Sequence, residues 1–188
     1  MKKRVKLLTT IASLCLAVAL MAFGVYAASN INVTVNSTIS FTSSDIAGKW
    51  DVKVEGAGTL AQTTVTDATN STEPTVEGDE DVALTFSRTQ KTATYTITFT
   101  NTGTAVAAKT NLTVTLTDNT ANKAFSYEVK MDDSDYAADN KVEANNDTVV
   151  YVVTVTLDDS KLSAEELANG FGTEKGVKVV IQGTAVPN

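Results

Sequence analysis

The sequence predicts an all-β protein, an antiparallel two-sheet β-sandwich of the jelly-roll or immunoglobulin-like kind. The chain has 188 residues, and 31 of them are Thr, a residue type that favours pleated strands over helices. Beyond residue 28, apolar side chains recur at every second position, which places them together on one face of a strand. Turn-forming residues separate these short stretches, and no series of helical patterns interrupts them. This combination is typical of a two-layered sandwich.

The first 27 residues have the pattern of a helical secretory signal peptide. An uncharged apolar run at residues 7–24 follows four basic residues: Lys2, Lys3, Arg4 and Lys6. Cleavage after Ala27 would leave a single sandwich domain at residues 28–188. The apolar run is also long enough for an uncleaved transmembrane anchor, and the sequence leaves both alternatives open.

Nine strands are predicted from alternation or from Val- and Thr-rich composition. They lie at residues 31–35, 38–42, 49–55, 82–87, 95–100, 112–117, 125–131, 149–157 and 177–184. The first strand presents Ile31, Val33 and Val35 on one face. The strand at residues 149–157 carries apolar side chains on both faces, which predicts a central position in its sheet.

Two segments interrupt the strands. Ser163 and Glu166 form a capping box, in which each side chain bonds the other's main-chain N–H, and this predicts one short helix at residues 163–169. Residues 67–81 are polar and contain Pro74 and Gly78, so they are predicted to form an exposed loop.

Composition excludes several classes of function. The chain has no His, and its single Cys, Cys15, lies in the predicted leader, so mechanisms that need imidazole are excluded and no disulfide stabilises the exported part. We expect no enzymatic activity. Residues 28–188 carry 11 basic and 22 acidic side chains, a formal charge of −11. A nucleic-acid partner is therefore not expected, because phosphate binding needs clustered Lys and Arg.

One acidic cluster is a candidate metal site. Carboxylates at close spacing in a loop can hold calcium, which takes six to eight oxygen ligands. The candidate ligands are Asp132, Asp133, Asp135 and Asp139. The alternative is a solvated hairpin end without an ion, and the sequence predicts no other cofactor.

Trp50 is the one Trp of the chain and allows two interpretations. Alternation places Trp50, Val52 and Val54 on the same strand face, which favours a Trp packed in the sandwich core. The alternative is an exposed ring that stacks on a sugar.

The segment at residues 14–27, Leu-Cys-Leu-Ala-Val-Ala-Leu-Met-Ala-Phe-Gly-Val-Tyr-Ala, follows a Lys-Lys-Arg start and leads directly into Thr- and Val-rich strands. In this pattern the sequence resembles the TasA/camelysin family of Gram-positive biofilm-matrix fibre subunits. The resemblance implies a secreted, non-enzymatic subunit that polymerises by lending its N-terminal strand, here Ile31, Val33 and Val35, to the sheet of the next copy.

Two functions are therefore expected from the sequence. The first is a self-associating matrix protein at the cell surface or outside the cell, whose partners are copies of itself or other matrix proteins. It would contact a membrane only through an uncleaved leader. The second is a monomeric binding module for a carbohydrate or a cell-surface ligand. The sequence does not decide whether the strand at residues 31–35 pairs within its own molecule or with another.

Overall fold

A computed structural model describes residues 33–43, 46–56, 62–68, 75–163, 165–166 and 176–188. The predicted leader and Ile31 lie outside these ranges. Among the residues in these ranges, no helix is long and apolar enough to cross a membrane.

The described part of the chain contains eleven strands, each formed where apolar side chains alternate or where a turn folds the chain back. They are β1 (Val33–Ser43), β2 (Gly48–Gly56), β3 (Gln62–Ala68), β4 (Thr75–Phe86), β5 (Thr92–Asn101), β6 (Ala108–Thr117), β7 (Phe125–Met131), β8 (Ser134–Asp135), β9 (Asn140–Val142), β10 (Asp147–Leu157) and β11 (Val177–Pro187).

These strands form two sheets that pack against each other, so the predicted β-sandwich is confirmed. The first sheet has the order β4-β1-β11-β6-β9, and the second has the order β3-β2-β5-β10-β7-β8. Among the described pairs, β1 and β11 run parallel and the others run antiparallel. The purely antiparallel arrangement expected from the sequence is therefore modified at one pair. A parallel pair requires a long crossover, and here most of the chain lies between β1 and β11.

Aromatic rings from both sheets fill the core. Trp50 of β2 is 2% exposed and stacks on Phe41 of β1, with ring centroids 4.8 Å apart. Its other neighbour is Phe99 of β5, also at 4.8 Å. Gly183 of β11 leaves room for this group, because a Cβ there would come within 2.6 Å of the Phe41 ring. The prediction of a core Trp is thus confirmed, and a ring this deeply buried cannot stack on a sugar.

The predicted strands differ from the observed ones in three places. Residues 31–35 and 38–42 were expected as two strands, but β1 runs unbroken from Val33 to Ser43. The predicted loop at residues 67–81 is wrong for residues 67–68, which end β3, and for residues 75–81, which begin β4. Three strands were not predicted: β3, and the short strands β8 and β9, whose two or three residues carry no measurable alternation.

The predicted capping box is confirmed. The Ser163 N–H donates to Glu166 Oε2 at 2.8 Å, and the Glu166 N–H donates to Ser163 Oγ at 3.2 Å. Glu165 and Glu166 are helical, while most of the predicted helix at residues 163–169 lies outside the described residues. A single 3₁₀ turn at Asp159–Lys161 precedes it and was not predicted.

Candidate functional site

The strand expected to mediate assembly is β1, and it occupies an interior position in its own sheet. It lies between β4 and β11, with Val35 aligned with Leu84 on one side and Val177 on the other. Val33 and Val35 are both 0% exposed. Of the three predicted assembly residues, the structure thus places two in the core, and Ile31 lies outside the described residues.

Two serine hydroxyls of β1 form hydrogen bonds with side chains of the facing sheet. The Ser37 hydroxyl makes a short hydrogen bond with the Tyr95 hydroxyl of β5, and both side chains are fully buried. Ser43 Oγ accepts a hydrogen bond from Trp50 Nε1 at 3.1 Å. Burial raises the pKa of Tyr95 from 10.0 to about 12, because the phenolate would lose its hydration, while the bond to Ser37 acts in the opposite direction. The bond of Ser37 could not be predicted from the sequence, because its partner is 58 positions away.

The outward face of β1 is polar and uncharged. Thr34 and Asn36 are exposed, and residues 30–41 include no charged side chain. Residues 44–47 connect β1 to β2, which lies in the other sheet. Main-chain ladders to β4 and β11 hold β1 in its sheet on both sides.

The four candidate calcium ligands are not brought together as a cluster. Asp132 and Asp133 form the two-residue turn between β7 and β8, both with positive φ. Asp132 Oδ1 accepts a hydrogen bond from the Val150 N–H at 3.0 Å. Asp139 lies before β9, where Oδ1 accepts a bond from Asn111 Nδ2 at 2.7 Å. Within the part of the chain that the structure describes, no group of three or more acidic side chains could hold a metal ion.

The second notable feature is an open side of the sandwich between β6 and β7. Along β6, β11 covers one edge completely, whereas β9 covers the other edge only at residues 108–110. Likewise, β8 covers only the last two residues of β7. A groove of about 730 Å³ lies between these edges. It is lined by the uncharged residues Asn111, Leu112, Thr113, Val114, Tyr127, Val129, Tyr136 and Ala138.

Two tyrosine hydroxyls form hydrogen bonds with main-chain groups at the edge of β6. The Leu112 N–H donates to the Tyr136 hydroxyl at 3.2 Å. The Tyr127 hydroxyl donates to the Val114 carbonyl at 3.1 Å, and the Tyr127 side chain is 44% exposed. Both strands were predicted from the sequence, but the groove was not, because it depends on how short β8 and β9 are.

The chain matches no protein-family model and no curated protein. The features that bear on function are therefore the position of β1 and the incompletely covered edges of β6 and β7.

Proposed function

We propose that the chain is an exported, non-enzymatic structural protein that self-associates outside the cell by exchanging β1 between copies. The observation that carries this proposal is the position of β1. It is the first described strand of the chain, and it lies in the interior of a sheet, between β4 and β11. With the predicted leader removed, β1 lies near the start of the exported chain, and a strand near a chain end can leave its sheet without threading the rest of the domain. An identical β1 from another copy can then make the same main-chain hydrogen bonds.

The apolar side chains of β1 make an occupied β1 position necessary, whether the strand comes from the same copy or from another. Val33, Val35, Ile39 and Phe41 are at most 1% exposed. If β1 left the sheet, the side chains of the facing sheet that it covers, such as Trp50 and Tyr95, would be exposed to water, so each copy needs a β1, either its own or a neighbour's. Burial of apolar surface stabilises either arrangement, at roughly 25 cal/mol per Å².

The charge pattern of β1 fits the same role. Residues 28–188 carry a formal charge of −11, so most contacts between copies involve repulsion. Residues 30–41 are uncharged, and a strand of this kind enters a neighbour's sheet without burying a charge. The predicted leader supports an extracellular location, and the lack of His supports a non-enzymatic role.

The alternative of a monomeric binding module receives less support. Its one named sugar-stacking residue, Trp50, lies in the core.

A reversible disulfide tests the exchange of β1. Asn36 of β1 and Ala83 of β4 are aligned in the antiparallel ladder, and both are exposed. Aligned residues on neighbouring strands have Cα atoms about 4.5–5.5 Å apart, which suits a disulfide. In the chain from Ala28 onward, Asn36→Cys with Ala83→Cys introduces the only two cysteines.

We expect the reduced variant to form filaments and the variant oxidised as a monomer to form none. Oxidation after assembly should instead link neighbouring copies into a covalent ladder on a non-reducing gel. The matched control is Thr96→Cys with Val152→Cys, an aligned pair on β5 and β10 that leaves β1 free. The control should assemble in both redox states. Assembly of the locked monomer at the rate of the reduced one, or no assembly of the reduced protein, would show that the proposal is wrong.

A further inference from the structure

The edge of β6 that faces away from β11 is the longest uncharged free edge in the described part of the sandwich. Residues 111–117 have no strand on that side, and their sequence is Asn-Leu-Thr-Val-Thr-Leu-Thr. An edge of this kind presents main-chain N–H and C=O groups that can pair with another strand.

Charged residues mark the other described edges. The edge strand β4 contains four acidic residues, and the edge strand β3 contains one. Charged residues also lie on β8, on β9 and on the exposed part of β7. These residues are Glu77, Asp79, Glu80, Asp81, Asp67, Asp135, Lys141 and Glu128. Charges on an edge strand discourage pairing with a second copy, because like charges would meet. The edge of β6 lacks this protection.

The usable part of this edge is centred on Thr115. Residues 108–110 pair with β9, and the Leu112 N–H bonds the Tyr136 hydroxyl, so residues 113–117 remain. Along them, Val114 and Leu116 are half-buried and pack against the core, while Thr113, Thr115 and Thr117 are exposed on the outer face.

We propose that residues 113–117 of β6 pair antiparallel with the same residues of a second copy, around a two-fold axis at Thr115. In this register, Val114 of one copy lies opposite Leu116 of the other, and the apolar row continues from one sheet into the next. Charge favours a second copy as the occupant: an uncharged strand fits the uncharged groove, and no like charges oppose each other at the contact. The Tyr127 hydroxyl leaves the Val114 carbonyl when the second strand binds.

This contact differs from the exchange of β1 and does not depend on it. A two-fold contact uses the same patch on both copies and closes as a dimer, so it cannot by itself propagate a filament. Where β1 exchange forms chains, pairing of β6 edges would join one chain to another. Five residues on each side bury less than a standard interface of about 1,600 Å², so we expect weak association.

Charge substitution at the two-fold axis tests the proposal. The experiment uses the oxidised Asn36→Cys, Ala83→Cys protein, in which β1 is held in its own sheet, and measures dimerisation by sedimentation equilibrium. Thr115→Lys and Thr115→Glu should each weaken the dimer by at least about tenfold, because each charge meets its own copy across the axis. An equimolar mixture of the two variants should restore dimerisation, because the introduced ammonium group of one copy then faces the introduced carboxylate of the other.

The matched control is Gln182→Lys, which adds the same charge to an exposed position on β11, inside the sheet. It should leave the dimer unchanged. Tyr127→Phe removes the hydroxyl that donates to the Val114 carbonyl. This variant should strengthen the dimer about threefold or more, because the Tyr127 hydrogen bond no longer competes with the second strand for that carbonyl. A monomeric parent protein, a mixture that stays monomeric, or equal weakening by Gln182→Lys would each overturn the proposal.

Discussion

Hydroxyl groups of single residues determine how the two sheets face each other. Ser37 bonds Tyr95 across the core, and Thr110 Oγ1 lies 2.7 Å from the Tyr151 hydroxyl, also across the core. Among the described residues, no buried side-chain polar atom lacks a hydrogen-bond partner. A hydroxyl in the core is costly unless it is bonded, so a shift of either sheet by one residue would break both pairs. These bonds specify one packing among the many that similar Val and Thr strands could adopt.

Tyr95 makes stability depend on pH in the alkaline range. Its pKa is 10.0 when unfolded and about 12 when folded, so the folded state keeps the proton over this interval. The contribution of Tyr95 is fully present below pH 10 and is lost as the pH rises to about 12. Over two pH units the loss is on the order of 3 kcal/mol. We expect urea unfolding, followed by circular dichroism, to show this decline.

The Tyr95→Phe variant isolates the effect from the titration of lysines. It should be less stable than the parent at pH 8 by about 1 kcal/mol, because Ser37 loses its partner. Between pH 10 and 12 its stability should fall less steeply than that of the parent. Equal slopes in the two proteins would contradict the assignment to Tyr95.

At the scale of the element, β1 alternates between a buried side and a side that faces away from the core. Val35 is 0% exposed, whereas the adjacent Thr34 is exposed. Val35→Lys would bury an ammonium group without a partner and should destabilise the domain by about 3 kcal/mol or more. Thr34→Lys, the matched control, should change stability by less than about 0.5 kcal/mol. Chemical denaturation monitored by Trp50 fluorescence measures both, and similar losses in the two variants would contradict the face assignment.

Strands with strong local alternation could be predicted from the sequence. The predicted bounds of β7 agree with the structure at both ends, and the apolar residues on both faces of β10 correctly indicated a central strand. The capping box of Ser163 and Glu166 was predictable for the same reason, since its partners are three residues apart. Each of these signals is local in the chain.

Elements whose stability depends on distant partners could not be predicted. Asn36 and Ser37 resemble a break between two strands, but Ser37 is satisfied inside the core by Tyr95. The acidic residues 77–81 resemble a loop, but they belong to β4, which lies at the edge of its sheet, where charge is tolerated. The free edge of β6 follows from the three-residue length of β9, which no local pattern in β6 indicates.

At the scale of the whole molecule, topology and charge act together. The parallel pair of β1 and β11 places the first and last described strands side by side in the interior of one sheet. Closing that pair requires most of the domain to be formed, because the two strands are far apart in the chain. The side of β1 that pairs with β11 is therefore expected to close late, whereas the ladder between β1 and β4 can form without β11.

Charge should then control how quickly copies meet. With 11 basic and 22 acidic side chains in residues 28–188, two copies repel each other, and salt shortens the range of that repulsion from about 30 Å at 0.01 M to about 8 Å at 0.15 M. We expect filament growth, followed by light scattering, to be several-fold faster at 0.15 M salt. A protein that binds nucleic acid shows the opposite trend, since its affinity falls as salt rises.

A variant with fewer acidic residues separates repulsion from other effects of salt. Asp133→Asn with Asp135→Asn removes two exposed charges at the turn between β7 and β8, away from β1. This variant should grow faster than the parent at 0.01 M salt and at the same rate at 0.15 M, because screening already removes the repulsion there. If salt slows growth, or if the variant is faster by the same factor at both concentrations, then the net charge does not limit the encounter between copies.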